Sequence, residues 1–282
     1  MCSLGKFLRL RRIFKSDLRR AVIVPLDDAL LSGPEGGLRN IGQKLEDIVK
    51  GKPDAVMGFP GLFNCHSNSF IDVSCILNIT ASSTRGSHTR KVIVGSVENA
   101  LRMGMDCLGV HVNISSKYEP EMLKCFGEVA AECERYGMPL MGIMYPRKET
   151  DGGDDNYLDL LKSSPDKYAE LVRHAARIGV DLGADIIKTV FTGNAESFKS
   201  VVDCCSGIPV IIAGGPFVGA NEMLTNAFQA MQAGASGICF GRNVFHQEDS
   251  SYYVNALRKI VHEGATVQYA IESLAPECQP SA

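Results

Sequence analysis

No Cys-x-x-Cys pair occurs among the ten cysteines of this 282-residue chain, which removes the common redox and zinc-binding spacings. No apolar run approaches the roughly 18 residues of a membrane span. Beyond the N-terminus there is no long basic stretch, and the formal net charge is −3, so neither nucleic acid nor an anionic membrane is the expected partner. The six histidines show no HxH or HExxH spacing, and no metal site is proposed. No GxGxxG follows the first apolar run, and no GxxxxGK[ST] is present, which argues against dinucleotide and nucleotide P-loop sites. No secretory leader is read before the first strand, so free thiols in a reducing cytoplasm are the expectation. Cys75, Cys107 and Cys239 lie in apolar runs and read as small core residues; the adjacent Cys204-Cys205 pair reads as packed thiols rather than a redox couple.

What is present is an alternation. Apolar strand-like runs begin at Ala21-Val22-Ile23-Val24-Pro25 and recur at Asp54–Gly58, Val73–Ile79, Cys107–Val112, Pro139–Tyr145, Gly183–Thr189, Ile208–Ile212 and Gly237–Phe240. Helical spacings separate most of them, as in Glu119–Tyr136, where Met122, Phe126, Val129, Ala130 and Cys133 share a face. Continuous apolar strands signal a parallel sheet covered on both sides. Eight such units in one chain predict a single-domain (β/α)8 TIM barrel over 21–275, with an open doubly wound sheet as the competing architecture. Residues 1–20 carry seven basic residues interleaved with Leu4, Phe7, Leu8, Leu10 and Ile13, and are read as an amphipathic capping helix. Residues 276–282 are read as a tail. The acidic, glycine-containing stretch 148–165 and the polar stretch Thr80–Thr89 are read as loops.

In a parallel barrel the C-terminal strand ends share one site. The residues placed there are Asp27, Asp28, His111, Asn113, Tyr145, Arg147, Lys188, Gly214-Gly215 and Gly241-Arg242. Lys188 is the candidate nucleophile. A free lysine has a pKa of roughly 10.4, and bringing it near 7 takes about 4 kcal/mol of preference for the neutral amine. Burial, assisted by a cation such as Arg242, could supply that. A lysine simply paired with a carboxylate such as Asp27 is the plain alternative. Gly214-Gly215 and Gly241-Arg242 suit a phosphate, since glycines let backbone N–H groups approach an anion and a short following helix aims its positive end at it. Tight turns without a ligand are the alternative. Asp27 and Tyr145 are candidate proton carriers. His111, inside a strand, reads as a satisfied core imidazole.

The motifs Val24-Pro25-Leu26-Asp27, Ser32-Gly33-Pro34, Val110-His111-Val112-Asn113, Met144-Tyr145-Pro146-Arg147, Gly183-Ala184-Asp185-Ile186-Ile187-Lys188-Thr189, Ala213-Gly214-Gly215-Pro216 and Gly241-Arg242-Asn243-Val244-Phe245 together resemble the archaeal-type class I aldolases. That group includes fructose-bisphosphate aldolases, 2-amino-3,7-dideoxy-D-threo-hept-6-ulosonate synthases and a related bacterial synthase feeding 3-amino-4-hydroxybenzoate formation. The resemblance runs from about Lys6 to Ile271. It implies a (β/α)8 barrel and Schiff-base chemistry with no cofactor beyond a covalent imine on Lys188. Tyr145 would be the proton donor and Asp27 the acidic residue of the first strand. Gly214, Gly215, Gly241 and Arg242 would grip phosphate, with Asp28, His111 and Arg147 also facing substrate. Tyr145 without a nearby tryptophan is closer to the heptulosonate synthases and unlike the autoinducer-processing thiolase branch. The implied substrates are a phosphorylated ketone, such as dihydroxyacetone phosphate or a deoxyketohexose phosphate, and an aldehyde, with L-aspartate 4-semialdehyde suggested by the nearest resemblance. A fructose-bisphosphate aldolase and a non-catalytic sugar-phosphate binder are the alternatives. A homo-oligomer, a ring such as a decamer, is implied as well. Two segments depart from the family pattern. Asp27-Asp28-Ala29 stands for Asp-His-Gly, and Gly58-Phe59-Pro60 stands where many members carry a His-Lys pair; both are expected at the rim of the site.

Overall fold

The computed structural model describes residues 3–15, 18–151 and 153–273. Eight parallel strands close into a barrel: β1 Ala21–Pro25, β2 Ala55–Gly58, β3 Ser74–Asn78, β4 Cys107–Ile114, β5 Leu140–Pro146, β6 Ile186–Val190, β7 Val210–Ala213 and β8 Gly237–Cys239. Each strand pairs with its sequence neighbours, and β8 returns to β1 with Val22 opposite Ile238. The TIM-barrel expectation holds and the open sheet is excluded.

The strands alternate between two packed layers, as their period of two requires. Val22, Val24, Val56, Leu77, Leu108, Val110, Ile187, Val210 and Ile212 face outward, into the layer shared with the helices. Ile23, Met57, Ile76, Cys107, Met141, Ile143, Ile186 and Ile211 fill the barrel interior. The helix Leu4–Ile13 and the residue after it join that interior: Ile13 and Phe14 are fully buried among those side chains, with Leu10 against them. The amphipathic N-terminal stretch therefore plugs the end of the barrel remote from the loops that follow the strands.

A repeated device secures that plugged end. Asp54, Asp106 and Asp185 stand just before β2, β4 and β6, and each accepts a backbone N–H from the first or second residue of the neighbouring strand: Val22 at 2.8 Å, Cys75 at 3.1 Å and Leu140 at 2.9 Å. Each also takes a cation from outside the barrel. Lys6 of the plug meets Asp185 at 3.1 Å and Arg12 meets Asp106 at 3.0 Å. Asp54, almost fully buried, meets His262 at 2.7 Å and Arg258 at 3.4 Å, where the helix Ser250–Arg258 runs on into a π-helical turn at Lys259–Glu263. Charge-assisted pairs of this kind satisfy carboxylates that would otherwise be costly to bury.

Several local readings change. Thr80–Ala81, read as part of a loop, pairs antiparallel with Val92–Ile93, so the intervening residues form the tip of a hairpin over the barrel mouth. The acidic stretch 148–165 is also structured: Lys148–Thr150 and Gly153–Asp155 form a second hairpin, followed by the helix Leu158–Ser163. The tail 276–282 lies outside the described residues. No helix among the described residues is long and apolar enough to cross a membrane.

Candidate active site

The strands' C-terminal ends open onto a cavity of about 610 Å³. Asp27, Asp28, His111, Tyr145, Arg147, Lys188, Gly214, Gly215, Gly241 and Arg242 all line it. Asn113 does not; it is fully buried and donates to the Thr89 carbonyl at 2.8 Å, tying β4 to the hairpin above. Gly58-Phe59-Pro60, expected at the rim, does not line the cavity either, whereas Asp28 does, at the start of the short helix Asp28–Ser32. Of the two departures from the family pattern, only the first touches the site.

Lys188 projects from β6 into the barrel on the same face as Ile186, with only 6% of its surface exposed. Among the described residues no carboxylate comes within ion-pair distance of it. The thiol of Cys239 on β8 lies near it and lines the same cavity. Cys239, read from the sequence as a plain core residue, thus lines the site. Burial works to lower the Lys188 pKa, but Cys239, Tyr145 and Asp27 raise it, and the net direction is upward. That direction runs against the expectation of a lowered pKa, and Arg242 is not among the groups that set it. Burial pushes the Tyr145 phenol up as well, so it stays protonated and able to donate. Asp27 is oriented by Asn78 at the end of β3, whose Nδ2 donates to its carboxylate at 2.7 Å. Asn78 in turn accepts from the Thr80 N–H at 3.0 Å and hydroxyl at 2.9 Å.

The glycine turns after β7 and β8 are locked together by Asn243. Its Nδ2 donates to the carbonyls of Gly214 at 2.7 Å and Pro216 at 3.0 Å, and its Oδ1 accepts the Val218 N–H at 2.8 Å. Side chains are excluded by contact: a Cβ on Gly241 would lie 2.9 Å from the Pro25 carbonyl oxygen, and one on Gly214 3.1 Å from Phe240. Gly215 adopts φ +65°, which favours glycine. Arg242 opens the helix Arg242–Phe245 beside these turns. Asp28 lies close enough to Arg242 to feel its charge, although burial dominates and raises the Asp28 pKa. Backbone rich in N–H groups next to a guanidinium is a suitable cradle for a phosphate.

The other side of the mouth holds residues that sequence reasoning missed. His88, at the tip of the first hairpin, and Arg147 are joined, His88 Nε2 to the Arg147 guanidinium at 2.8 Å. Arg147 also meets Asp154 of the second hairpin at 3.3 Å and Asn156. All four line the cavity. Lys91 is buried nearby and donates to Ser82 Oγ at 2.6 Å. Burial, and then the charge of Arg147, brings the Lys91 pKa down to about 7. The depressed amine of this chain is thus Lys91, not Lys188. His111 packs edge-on against Tyr145, with ring centroids 4.8 Å apart, and its Nε2 is buried without a hydrogen-bond partner. That corrects the reading of a satisfied core imidazole. The residue types alone, in polar hairpin tips, carried no signal that these groups converge.

Comparison with known proteins follows this geometry. Residues 21–247 match the family described as DeoC/LacD family aldolase. A 2-amino-3,7-dideoxy-D-threo-hept-6-ulosonate synthase of Halobacterium salinarum is 34% identical, covering 96% of this chain and 97% of its own. A 2-amino-4,5-dihydroxy-6-oxo-7-(phosphonooxy)heptanoate synthase of Streptomyces griseus is 31% identical, covering 93% of this chain and 92% of its own. An archaeal fructose 1,6-bisphosphate aldolase of known structure superposes with a TM-score of 0.78 at 24% identity, covering 92% of this chain and all of its own, a likeness of fold.

Proposed function

Since this chain belongs to the DeoC/LacD aldolase family, we propose that it is a Schiff-base-forming class I aldolase joining a phosphorylated ketone to an aldehyde. The donor's phosphate sits at Gly214, Gly215, Gly241 and Arg242. The Lys188 ammonium first loses a proton, and Asp27, which Asn78 holds in place in the same cavity, is the carboxylate that takes it through a bridging water. The amine adds to the donor carbonyl, and water leaves with a proton from Tyr145 or Asp27. The resulting iminium draws electrons from the adjacent carbon, so loss of a proton there gives an enamine at low cost. That carbon attacks the aldehyde, and water then releases the product. Dihydroxyacetone phosphate and a deoxyketohexose phosphate are the candidate donors. L-Aspartate 4-semialdehyde is the candidate acceptor, a reading that draws on the aminoheptulosonate synthase names of the relatives. The reading carries with it a cytoplasmic homo-oligomer, a ring of subunits.

The observation that carries this reading is that, among the described residues, Lys188 is the one lysine lining the cavity, buried near Cys239, Tyr145 and Asp27 and sharing that cavity with the paired glycine turns. Incubation with dihydroxyacetone phosphate and borohydride is expected to add covalent mass at Lys188. Lys188→Ala is expected to lose turnover by at least about a thousandfold. An active Lys188→Ala chain with no adduct in the parent would overturn the imine. Tight phosphate-ester binding without adduct or product would assign a non-catalytic binder. Product with glyceraldehyde 3-phosphate in preference to aspartate semialdehyde would assign a fructose-bisphosphate aldolase.

A further inference from the structure

The barrel order sets β4 across the ring from β8 and β3 across from β7. The glycine turns lie after β7 and β8, so His111 of β4 and the hairpin following β3 form the wall facing them. From the geometry of that wall we infer a second anion subsite, in which Arg147, positioned by His88, and His111 bind the carboxylate of the acceptor aldehyde. The inference rests on the proposed aldolase reading and assigns the side chains that select its acidic acceptor.

Three observations carry it. First, the three side chains line one cavity, and Arg147 and His88 are already in contact at 2.8 Å. Second, the His111 Nε2 is buried on that wall with no partner. Buried polar atoms are rarely left so, and an orphan lining a substrate cavity marks a contact the ligand completes. Third, positive charge is in excess there. Lys91 is buried and Arg147 half-buried, and among the described residues Asp154 is the only carboxylate in contact with either, while Lys91 is bonded to a hydroxyl. Burial and mutual repulsion lower the pKa of Lys91, and burial lowers that of Arg147. A bound carboxylate relieves that repulsion and gains charge-assisted hydrogen bonds from the guanidinium. Lys91 does not line the cavity and contributes by its field. With phosphate on one wall and carboxylate on the other, Lys188 on β6 and Tyr145 on β5 lie between the two anchored ends, where the new bond forms.

The test compares acceptors of equal length with dihydroxyacetone phosphate as donor: succinate semialdehyde, which carries a carboxylate, and butanal, which carries a methyl group. The parent is expected to prefer the acid by about 10- to 100-fold in kcat/KM. Arg147→Gln, and independently His88→Asn, should bring the two acceptors within a few-fold, chiefly through KM for the acid. Equal use of both by the parent, or a preference that survives both substitutions, would overturn the inference. Glyceraldehyde 3-phosphate used far better than succinate semialdehyde would assign the wall to a phosphate and overturn the carboxylate. Borohydride trapping with donor alone is read in parallel on the parent. If no adduct forms, the aldolase reading fails, and the wall is then judged by butyrate binding. Butyrate should raise the parent's Tm but not that of Arg147→Gln; no rise in the parent would overturn it.

Discussion

Two buried lysines sit at this barrel mouth in opposite electrostatic states. For Lys188 burial is outweighed by its neighbours and the pKa is raised; for Lys91 burial, and then the charge of Arg147, bring the pKa down to about 7. Lys91 gives a pH prediction with a definite sign. Its folded pKa lies below the unfolded value of 10.5. Below about pH 7 both states hold the proton, and burying the charge costs stability in full. As pH rises from about 7 towards 10.5 only the unfolded chain still binds it, and that cost disappears. Lys91→Met should therefore be more stable than the parent by about 2–4 kcal/mol near neutral pH and below, after losing the bond to Ser82, with the gain shrinking as pH rises to about 10. Urea unfolding of both proteins across that window checks it. A gain that does not vary with pH would mean that Lys91 is not strained by burial.

At the scale of elements, the two hairpins over the mouth are fastened to each other by Glu149. Its carboxylate accepts from Ser116 Oγ at 2.6 Å, from the Lys117 N–H at 3.0 Å and from the Thr89 hydroxyl next to His88. Desolvation raises its pKa, but those bonds outweigh it and bring the pKa down to about 2. Glu149→Ala should loosen the tip of the first hairpin, increasing native-state trypsin cleavage at Arg85 and Arg90 by about tenfold, a loss of local stability near 1.4 kcal/mol. An unchanged cleavage rate would show that the tip is held elsewhere. These hairpins were the least legible part of the sequence. The barrel strands announced themselves as runs such as Ala21–Pro25 and Val210–Ile212 because both faces are buried. Lys148–Asp155 is short, polar and held by side-chain bonds to distant segments, so neither periodicity nor propensity marks it. The same blindness hid His88 and Lys91, while Lys188, Tyr145 and the glycine turns were readable because they end strongly apolar strands.

Across the whole molecule, the two ends of the barrel divide the labour. The plugged end is closed by apolar side chains and by aspartates each holding a strand and a cation, and the open end carries the groups that meet substrate. Asp54→Ala removes the partner of His262, Arg258 and the Val22 N–H at once. It should cost about 3–5 kcal/mol and lower Tm by about 5–10 °C. Retained kcat/KM per folded molecule is the accompanying expectation, read by calorimetry and steady-state kinetics together. A loss of activity without a loss of Tm would show that the ends are coupled. The capping helix was legible from its amphipathic pattern, but the aspartate contacts were not: Asp54 and Asp185 read only as polar residues within strand-like runs, and Asp106 as one just before a run.

The pairing of β1 with β8 also shapes how the polypeptide is made. Val22 finds Ile238 only after roughly two hundred further residues have been translated, which takes about 10–40 s at ordinary elongation rates. Through that interval the earliest strand offers a bare, β-branched edge, and the helix Leu4–Ile13 has no finished cylinder to stopper. A nascent chain of this design gains from rapid completion, and slowing its last codons should send it towards aggregation.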